Sequence, residues 1–336
     1  MSAELLVVTD LTKVFRTRGP RGGRDEVRAV DGVSLAVRRG ETFGIVGESG
    51  SGKSTLGRTI LQLHAPTSGS VEFEGRRLDK LRSRRLRALR HRMQMVFQDP
   101  RSSLDSRMSV FDIVAEPVRM RGGRAASVRA RVEELFTMVG LDPAVGSRYP
   151  HEFSGGQQQR IGIARALACE PDLLVCDEPV SALDVSIQAQ VLNLLKELQA
   201  RLGLTYVFIS HDLSVVRYIA DRLAVMYLGR IVETGPADAL FDSPRHPYTA
   251  ALLSAVPDPD PQVERRRQRI VLKGDIGSPS DEEGCPFRRR CWLYQRLGRP
   301  DACEQPPALR TVGEERRTAC HFAECVTDLA GERAAS

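Results

Sequence analysis

One stretch constrains this chain more than any other: Thr42-Phe-Gly-Ile-Val-Gly-Glu-Ser-Gly-Ser-Gly-Lys-Ser-Thr55. The apolar run Phe43 to Val46 reads as a buried strand. Gly47, Gly50 and Gly52 then punctuate a tight loop, and Leu56 to Leu63 reads as a helix. Strand, glycine loop, Lys, Ser and helix follow in the order that G-x-x-x-x-G-K-[ST] requires. Glycines let backbone N–H groups converge on an anion, and the helix N-terminus adds partial positive charge. The spacing predicts a triphosphate cradle from Gly47, Glu48, Ser49, Gly50, Ser51, Gly52, Lys53, Ser54 and Thr55. Lys53 is expected to reach the β- and γ-phosphates, and the Ser54 hydroxyl to bind Mg²⁺.

Other motifs follow at the ends of further strand-like runs. Met93-Gln-Met-Val-Phe is a short strand-like run that ends at Gln98; Asp172-Leu-Leu-Val-Cys ends at Asp177-Glu178; Thr205 to Ser210 ends at His211. Apolar helical spacing from Ser186 to Leu202 separates the last two runs. Strands that alternate with helices imply a largely parallel α/β core, with ligands at the strands' C-terminal ends. Alternating patterns at residues 4–16 and 27–39 predict an antiparallel part. Residues 105–150 are mostly helical in pattern and read as an insertion, and 223–234 as a hairpin around Leu228-Gly229. Between insertion and Asp-Glu pair stands Ser154-Gly155-Gly156-Gln157. Ser154 is a good N-cap, and the glycines expose N–H groups at a helix start, a second candidate anion site.

This ordered set resembles the nucleotide-binding subunit of an ABC transporter over residues 4–235. Ser-Gly-Gly-Gln between glycine loop and Asp-Glu is far more specific than the loop alone. The apolar Phe153 stands before it where the family often has Leu. The resemblance implies a P-loop NTPase α/β fold of ABC type, with an antiparallel β subdomain and an inserted helical subdomain at about 99–152. It implies ATP stacked on Phe15. Gln98 would sense Mg²⁺, Asp177 would hold it through water, Glu178 would polarise the attacking water, and His211 would contact the γ-phosphate. Lys53, Gln98, Glu178 and His211 are thus the expected catalytic set. In this family the Ser154–Gln157 signature caps the ATP on another subunit's loop, so two such ATPases are expected to pair.

From about residue 236 the composition shifts toward proline and charge, as in 264–269, and the stretch reads as a separate extension over 236–336 after a cassette over 1–235. Asp242-Ser-Pro-Arg-His-Pro-Tyr-Thr249 and its continuation resemble the extension of dipeptide/oligopeptide importer ATPases. The resemblance implies a peripheral subunit on the cytoplasmic face of the inner membrane. Its partners would be a related, non-identical ATPase, two permeases and an extracytoplasmic solute-binding protein. Peptides are the expected solute; nickel complexes or another small solute are the alternative, and a soluble ABC ATPase acting on ribosomes or DNA the more distant one.

Composition fits this picture. No run of about 18 apolar residues exists, so no membrane span is expected. The N-terminus lacks a basic region and reads as no signal peptide. Lys+Arg exceeds Asp+Glu by 49 to 43, but aromatics are few and no aromatic-lined basic groove is visible. The basic helix expected at 81–93 therefore reads as a solvated face rather than a nucleic-acid site.

Of seven cysteines, Cys169 and Cys176 lie in the body of the chain and read as core residues. Cys285, Cys291, Cys303, Cys320 and Cys325 crowd the end, which points to metal before disulfides. Spacing C-x5-C-x11-C-x16-C is not that of a zinc ribbon. The importer resemblance implies a [4Fe–4S] cluster on Cys285, Cys291, Cys303 and Cys320, with Cys325 spare. Free reduced thiols are the other reading.

Overall fold

The computed structural model describes residues 4–18, 24–121, 124–257, 265, 269–274 and 284–326. Its strands are β1 (Glu4–Arg18), β2 (Arg24–Arg38), β3 (Thr42–Val46), β4 (Ser68–Phe73), β5 (Arg76–Arg77), β6 (Met93–Val96), β7 (Leu173–Asp177), β8 (Thr205–Ser210), β9 (Arg222–Tyr227), β10 (Arg230–Pro236), β11 (Arg310–Gly313) and β12 (Arg316–Thr318). Its α-helices are α1 (Lys53–Ile60), α2 (Ser83–Arg90), α3 (Pro100–Ser103), α4 (Val110–Met120), α5 (Ala125–Met138), α6 (Gly155–Leu167), α7 (Val185–Leu202), α8 (Leu213–Ile219), α9 (Ala237–Asp242), α10 (Pro247–Ser254) and α11 (Trp292–Arg296). The chain divides into two compact units, one built on Lys80–Ile209 with Val37–Glu41, the other on Leu5–Ala36, Thr42–Asp79 and the chain from Ser210 onward.

The first unit holds the parallel strands β6, β7 and β8, with Met93 opposite Leu173 and Leu173 opposite Thr205. β7 and β8 are buried throughout, as continuous apolar runs flanked by helices should be. Asp172, just before β7, accepts from Arg39 (3.2 Å) and Arg92 (2.6 Å) and so pins the strand's entry. The helical insertion follows β6. α4 starts at Ser109, whose hydroxyl accepts from the Asp112 N–H and donates to its carboxylate. α5 buries Val128, Val132, Leu135 and Phe136, spaced by three or four residues. Arg160 of α6 donates to the Val139 carbonyl at the end of α5 (2.7 Å). The basic helix is shorter than its charge run, only Ser83–Arg90, and buries Leu89 alone.

The second unit holds a sheet ordered β11-β12-β10-β9-β3 and an antiparallel sheet ordered β2-β1-β4-β5. β3 pairs in parallel with β9, and the β9–β10 hairpin turns at Leu228 and Gly229, both at positive φ. Of the polar loop expected at 17–26, residues 19–23 lie outside the described residues and the remainder are strand ends; the charged stretch at 264–269 also lies largely outside.

The boundary expected at 235/236 is not where the compact units divide. β12, some eighty residues later in the chain, adds to β10, with Glu233 opposite Thr318. Glu233 is fully buried in β10 and accepts from the N–H groups of Arg245 (2.8 Å) and His246 (3.0 Å) and from Arg316 of β12 (3.1 Å). Burial pushes its carboxyl up, and those donors pull it back down. Of the prolines near the start of the extension, Pro247 opens α10, while those at 259 and 261 lie outside the described residues.

Candidate functional site

The glycine loop is held from several sides, all within the second unit. β3 delivers the chain to Gly47 fully buried. A Cβ on Gly47 (φ 155°) would lie 2.2 Å from the Met226 carbonyl oxygen, and one on Gly52 (φ 102°) 2.0 Å from that of Ala29. Only glycine fits either place. Gly52 is also the N-cap of α1 and adds no side-chain cap to the helix start, where the helix dipole favours negative charge. The Gly229 N–H donates to the Ser51 carbonyl (2.9 Å), so the β9–β10 turn braces the loop. Lys53 is buried and arches back over the loop, its ammonium donating to the carbonyls of Gly47 (2.8 Å) and Glu48 (2.9 Å). Ser49 and Gly50 are exposed at the tip; Ser54 and Thr55 are half-buried in the first turn of α1. Phe15 of β1 is half-buried, edge-on to His64 at 5.5 Å, with the Lys13 ammonium 5.0 Å from its ring centre. His211 is exposed just after β8, followed by Asp212, whose carboxylate caps α8 through the Ser214 N–H (2.8 Å).

The carboxylates belong to the first unit. Asp177 closes β7 and is wholly buried; Glu178 follows, half-buried, and the two therefore leave the strand in different environments. Glu178 adopts φ 47°, an uncommon conformation for a residue with a Cβ. Its N–H donates to the Ile209 carbonyl (2.9 Å), and its carboxylate accepts from Gln98 Nε2 (2.9 Å). The expected pair Gln98 and Glu178 thus meets directly, at the ends of β6 and β7. Such a hydrogen bond fixes the direction in which the carboxylate points.

Ser154 to Gln157 form the start of α6 as a capping box. Ser154 Oγ accepts from the Gln157 N–H (3.4 Å), and Gln157 Oε1 accepts from the Ser154 N–H (3.0 Å). Gly156 is buried, and a Cβ there would come within 2.4 Å of the Ile187 side chain on α7. This glycine gives clearance between helices.

Cys285, Cys291, Cys303 and Cys320, far apart in sequence, line one small apolar cavity of about 20 Å³, together with Phe287 and His246. The Cys285 N–H donates to the Cys303 carbonyl (3.0 Å). Burial pushes the Cys291 thiol up to about 12 and raises those of Cys303 and Cys320 as well. The expected [4Fe–4S] site finds its four cysteines round one cavity but no further support here. Among the described residues no group of three or more His, Cys, Asp or Glu is set to hold a metal ion. The cavity has room for about one water, well short of an iron–sulfur core. Cys169 and Cys176 are buried as expected, and burial takes the Cys176 thiol up to about 12.

Comparison with known proteins fits this arrangement. The family model described as "ABC transporter" matches residues 30–181, and that described as "Oligopeptide/dipeptide transporter, C-terminal region" matches 232–296. The chain is 51% identical over 305 residues to the putative oligopeptide transport ATP-binding protein YkfD of Bacillus subtilis (strain 168), covering 90% of this chain and 91% of that protein. The chain belongs to the ATP-binding subunits of the oligopeptide/dipeptide ABC transporter family. It is also 49% identical to the oligopeptide transport ATP-binding protein AppF of the same organism, covering 95% of this chain and 97% of AppF. Among solved structures it is similar to the ATP-binding cassette MJ0796, whose dimer is described as a post-hydrolysis state bound to ADP and Pi (TM-score 0.63, 30% identity, 69% of this chain and 98% of that one). It is similar in the same degree to cbiO1 of Clostridium perfringens (TM-score 0.62, 30% identity, 71% of this chain and 91% of that one). The family is one of ATPases, and among the described residues no helix is long and apolar enough to cross a membrane.

Met226, Gly229 and Tyr248 meet the loop only through the fold: the sequence marks Gly229 as a turn and Tyr248 as part of the importer-like stretch, but not their contact with it.

Proposed function

We propose that this ATPase powers peptide uptake as a peripheral subunit on the cytoplasmic face of the inner membrane. The observation that carries the peptide reading is the match of residues 232–296 to the oligopeptide/dipeptide transporter region, in a segment that β12 and Glu233 tie to the sheet next to the glycine loop. Two permeases, a solute-binding protein and a second, related ATPase complete the assembly. The functional division into a cassette to residue 235 and an extension beyond it belongs to the same reading, supported by the two separate family matches.

In this reading the glycine loop and Lys53 hold the triphosphate, and Phe15 stacks on adenine. Mg²⁺ needs hard oxygen donors and keeps several waters, so one hydroxyl and one carboxylate suffice from the protein. Ser54, Asp177 and Gln98 are of the right chemistry. The ion neutralises phosphate charge when bound. Glu178, oriented by Gln98, polarises the attacking water, and His211 contacts the γ-phosphate. Phosphoryl transfer asks for positioning and charge more than covalent chemistry, which this set supplies. Ser154, Gly155, Gly156 and Gln157 complete the pocket of the partner ATPase. The four cysteines supply the donor type for a [4Fe–4S] cluster and converge on one cavity, which supports that assignment; the cavity must widen to accept it.

Co-expression with the neighbouring permeases tests the proposal. We expect a stable complex whose ATP turnover rises with a peptide-loaded binding protein. Turnover stimulated by ribosomes or nucleic acid instead would overturn it. Iron and sulfide assays on anaerobically purified protein test the cluster, with reduced thiols and no iron as the contrary result.

A further inference from the structure

Glu48 lies inside the phosphate-binding loop, next to Gly47, yet its carboxylate faces the far end of the chain. Arg290, in the short turn Arg288–Arg290 before Cys291, grips it with both terminal nitrogens, at 2.7 and 2.9 Å. The Arg290 side chain is 8% exposed and that of Glu48 27%. Such a two-pronged, largely dehydrated pair is the strong form of ion pair and fixes orientation as well as charge. The Arg290 guanidinium also lies 5.9 Å from the Tyr227 ring centre, in the strand that braces the loop. A second tie reaches the same residue. The Glu48 N–H donates to the Tyr248 hydroxyl oxygen at 2.9 Å. Tyr248 is fully buried in an aromatic cluster with Tyr227 and Phe287, and Trp292, two residues past Arg290, donates to the Pro247 carbonyl (2.9 Å). Side chain and backbone of one loop residue are thus both held by the segment beyond residue 236.

We infer that Arg290 and Tyr248 are positioning residues for ATP binding, acting through Glu48. Arg290 does two things. It cancels a carboxylate beside the place where a polyanion binds, and it keeps that carboxylate turned away from the phosphates. Tyr248 takes up the Glu48 N–H and so fixes the backbone at that point of the loop. Lys53 is left to bridge Gly47 and Glu48 from inside the loop. The inference rests on the reading of Gly47–Thr55 as the triphosphate cradle.

Titration of the full-length chain with a fluorescent ATP analogue tests it. Arg290→Ala is expected to weaken binding roughly tenfold, the scale of a lost charged hydrogen-bond pair. Adding Glu48→Gln to Arg290→Ala should restore most of the affinity, because no bare carboxylate then faces the phosphates. A merely structural role for Arg290 would lower thermal stability without that rescue. Tyr248→Phe should weaken binding by a smaller factor. Where Arg290→Ala fails to fold, Arg290→Gln serves, since it keeps much of the length and loses the charge. Lys53→Ala separates the two ideas. If Lys53→Ala abolishes binding but Arg290→Ala or Arg290→Gln binds within twofold of the parent, the positioning role is wrong. If Lys53→Ala binds normally, the cradle itself is misassigned and the inference falls with it.

Discussion

The chain presents glycines at two candidate anion sites, and they differ in kind. In the loop, glycine is demanded by the backbone at Gly47 and Gly52: positive φ, and carbonyl oxygens 2.2 and 2.0 Å from where a Cβ would stand. At Ser154–Gln157 the glycines are ordinary helical residues, and Gly156 is small because Ile187 of the next helix stands over it. The first site leaves its helix start uncapped and brings its own Lys53; the second caps itself with Ser154 and Gln157 and brings no cation. In the proposed reading one site seizes phosphate, and the other closes over a phosphate held elsewhere.

That contrast sets a ranking of effects. Glu178→Gln should lower ATP turnover by about 10³-fold while ATP affinity stays within twofold, as expected when only transition-state positioning is lost. Equal losses in turnover and affinity would mean that Glu178 holds ground-state nucleotide instead. Next, Gly52→Ala should destabilise the fold by about 3 kcal/mol and abolish nucleotide binding, because the new Cβ meets backbone that has no rotamer to change. Thermal melts with and without ATP read both. Gly156→Ala should cost less, about 1–2 kcal/mol, because its obstacle is a side chain. Pairing it with Ile187→Ala, which removes the Cγ2 methyl in the way, should recover part of that loss; failure to recover would show that Gly156 serves the backbone after all. The smallest effect concerns the core. With its thiol pushed up to about 12 by full burial, Cys176 should resist iodoacetamide at pH 8 in the folded protein and react only on unfolding, as followed by mass spectrometry.

Local chemistry is what the sequence carries well. The glycine loop, the Ser154 cap, the buried strands ending at Gln98, Asp177 and Ser210, and the Leu228-Gly229 turn all announce themselves within a few residues. Each needs only periodicity or a special φ. Contacts between distant segments do not. Arg290 and Glu48 stand 242 positions apart, and nothing in the run Arg288-Arg289-Arg290 distinguishes the paired arginine from its neighbours. The extension reads as separate because prolines and charges dominate near its start. What joins it to the sheet is one buried carboxylate, Glu233, and a three-residue strand too short for alternation to show. The cysteines show the same limit: their spacing says metal, yet only the fold brings four of them round one cavity, and a narrow one.

The central claim is that the two glycine sites divide the labour, one binding ATP and the other completing a partner's pocket. Ser154→Arg tests it most directly, assayed in the complex with the partner ATPase and permeases. The account predicts that this chain binds ATP within twofold of the parent, while ATP hydrolysis at the pocket it completes falls by at least about 100-fold. A matching loss of its own ATP affinity, or unchanged hydrolysis, would contradict it.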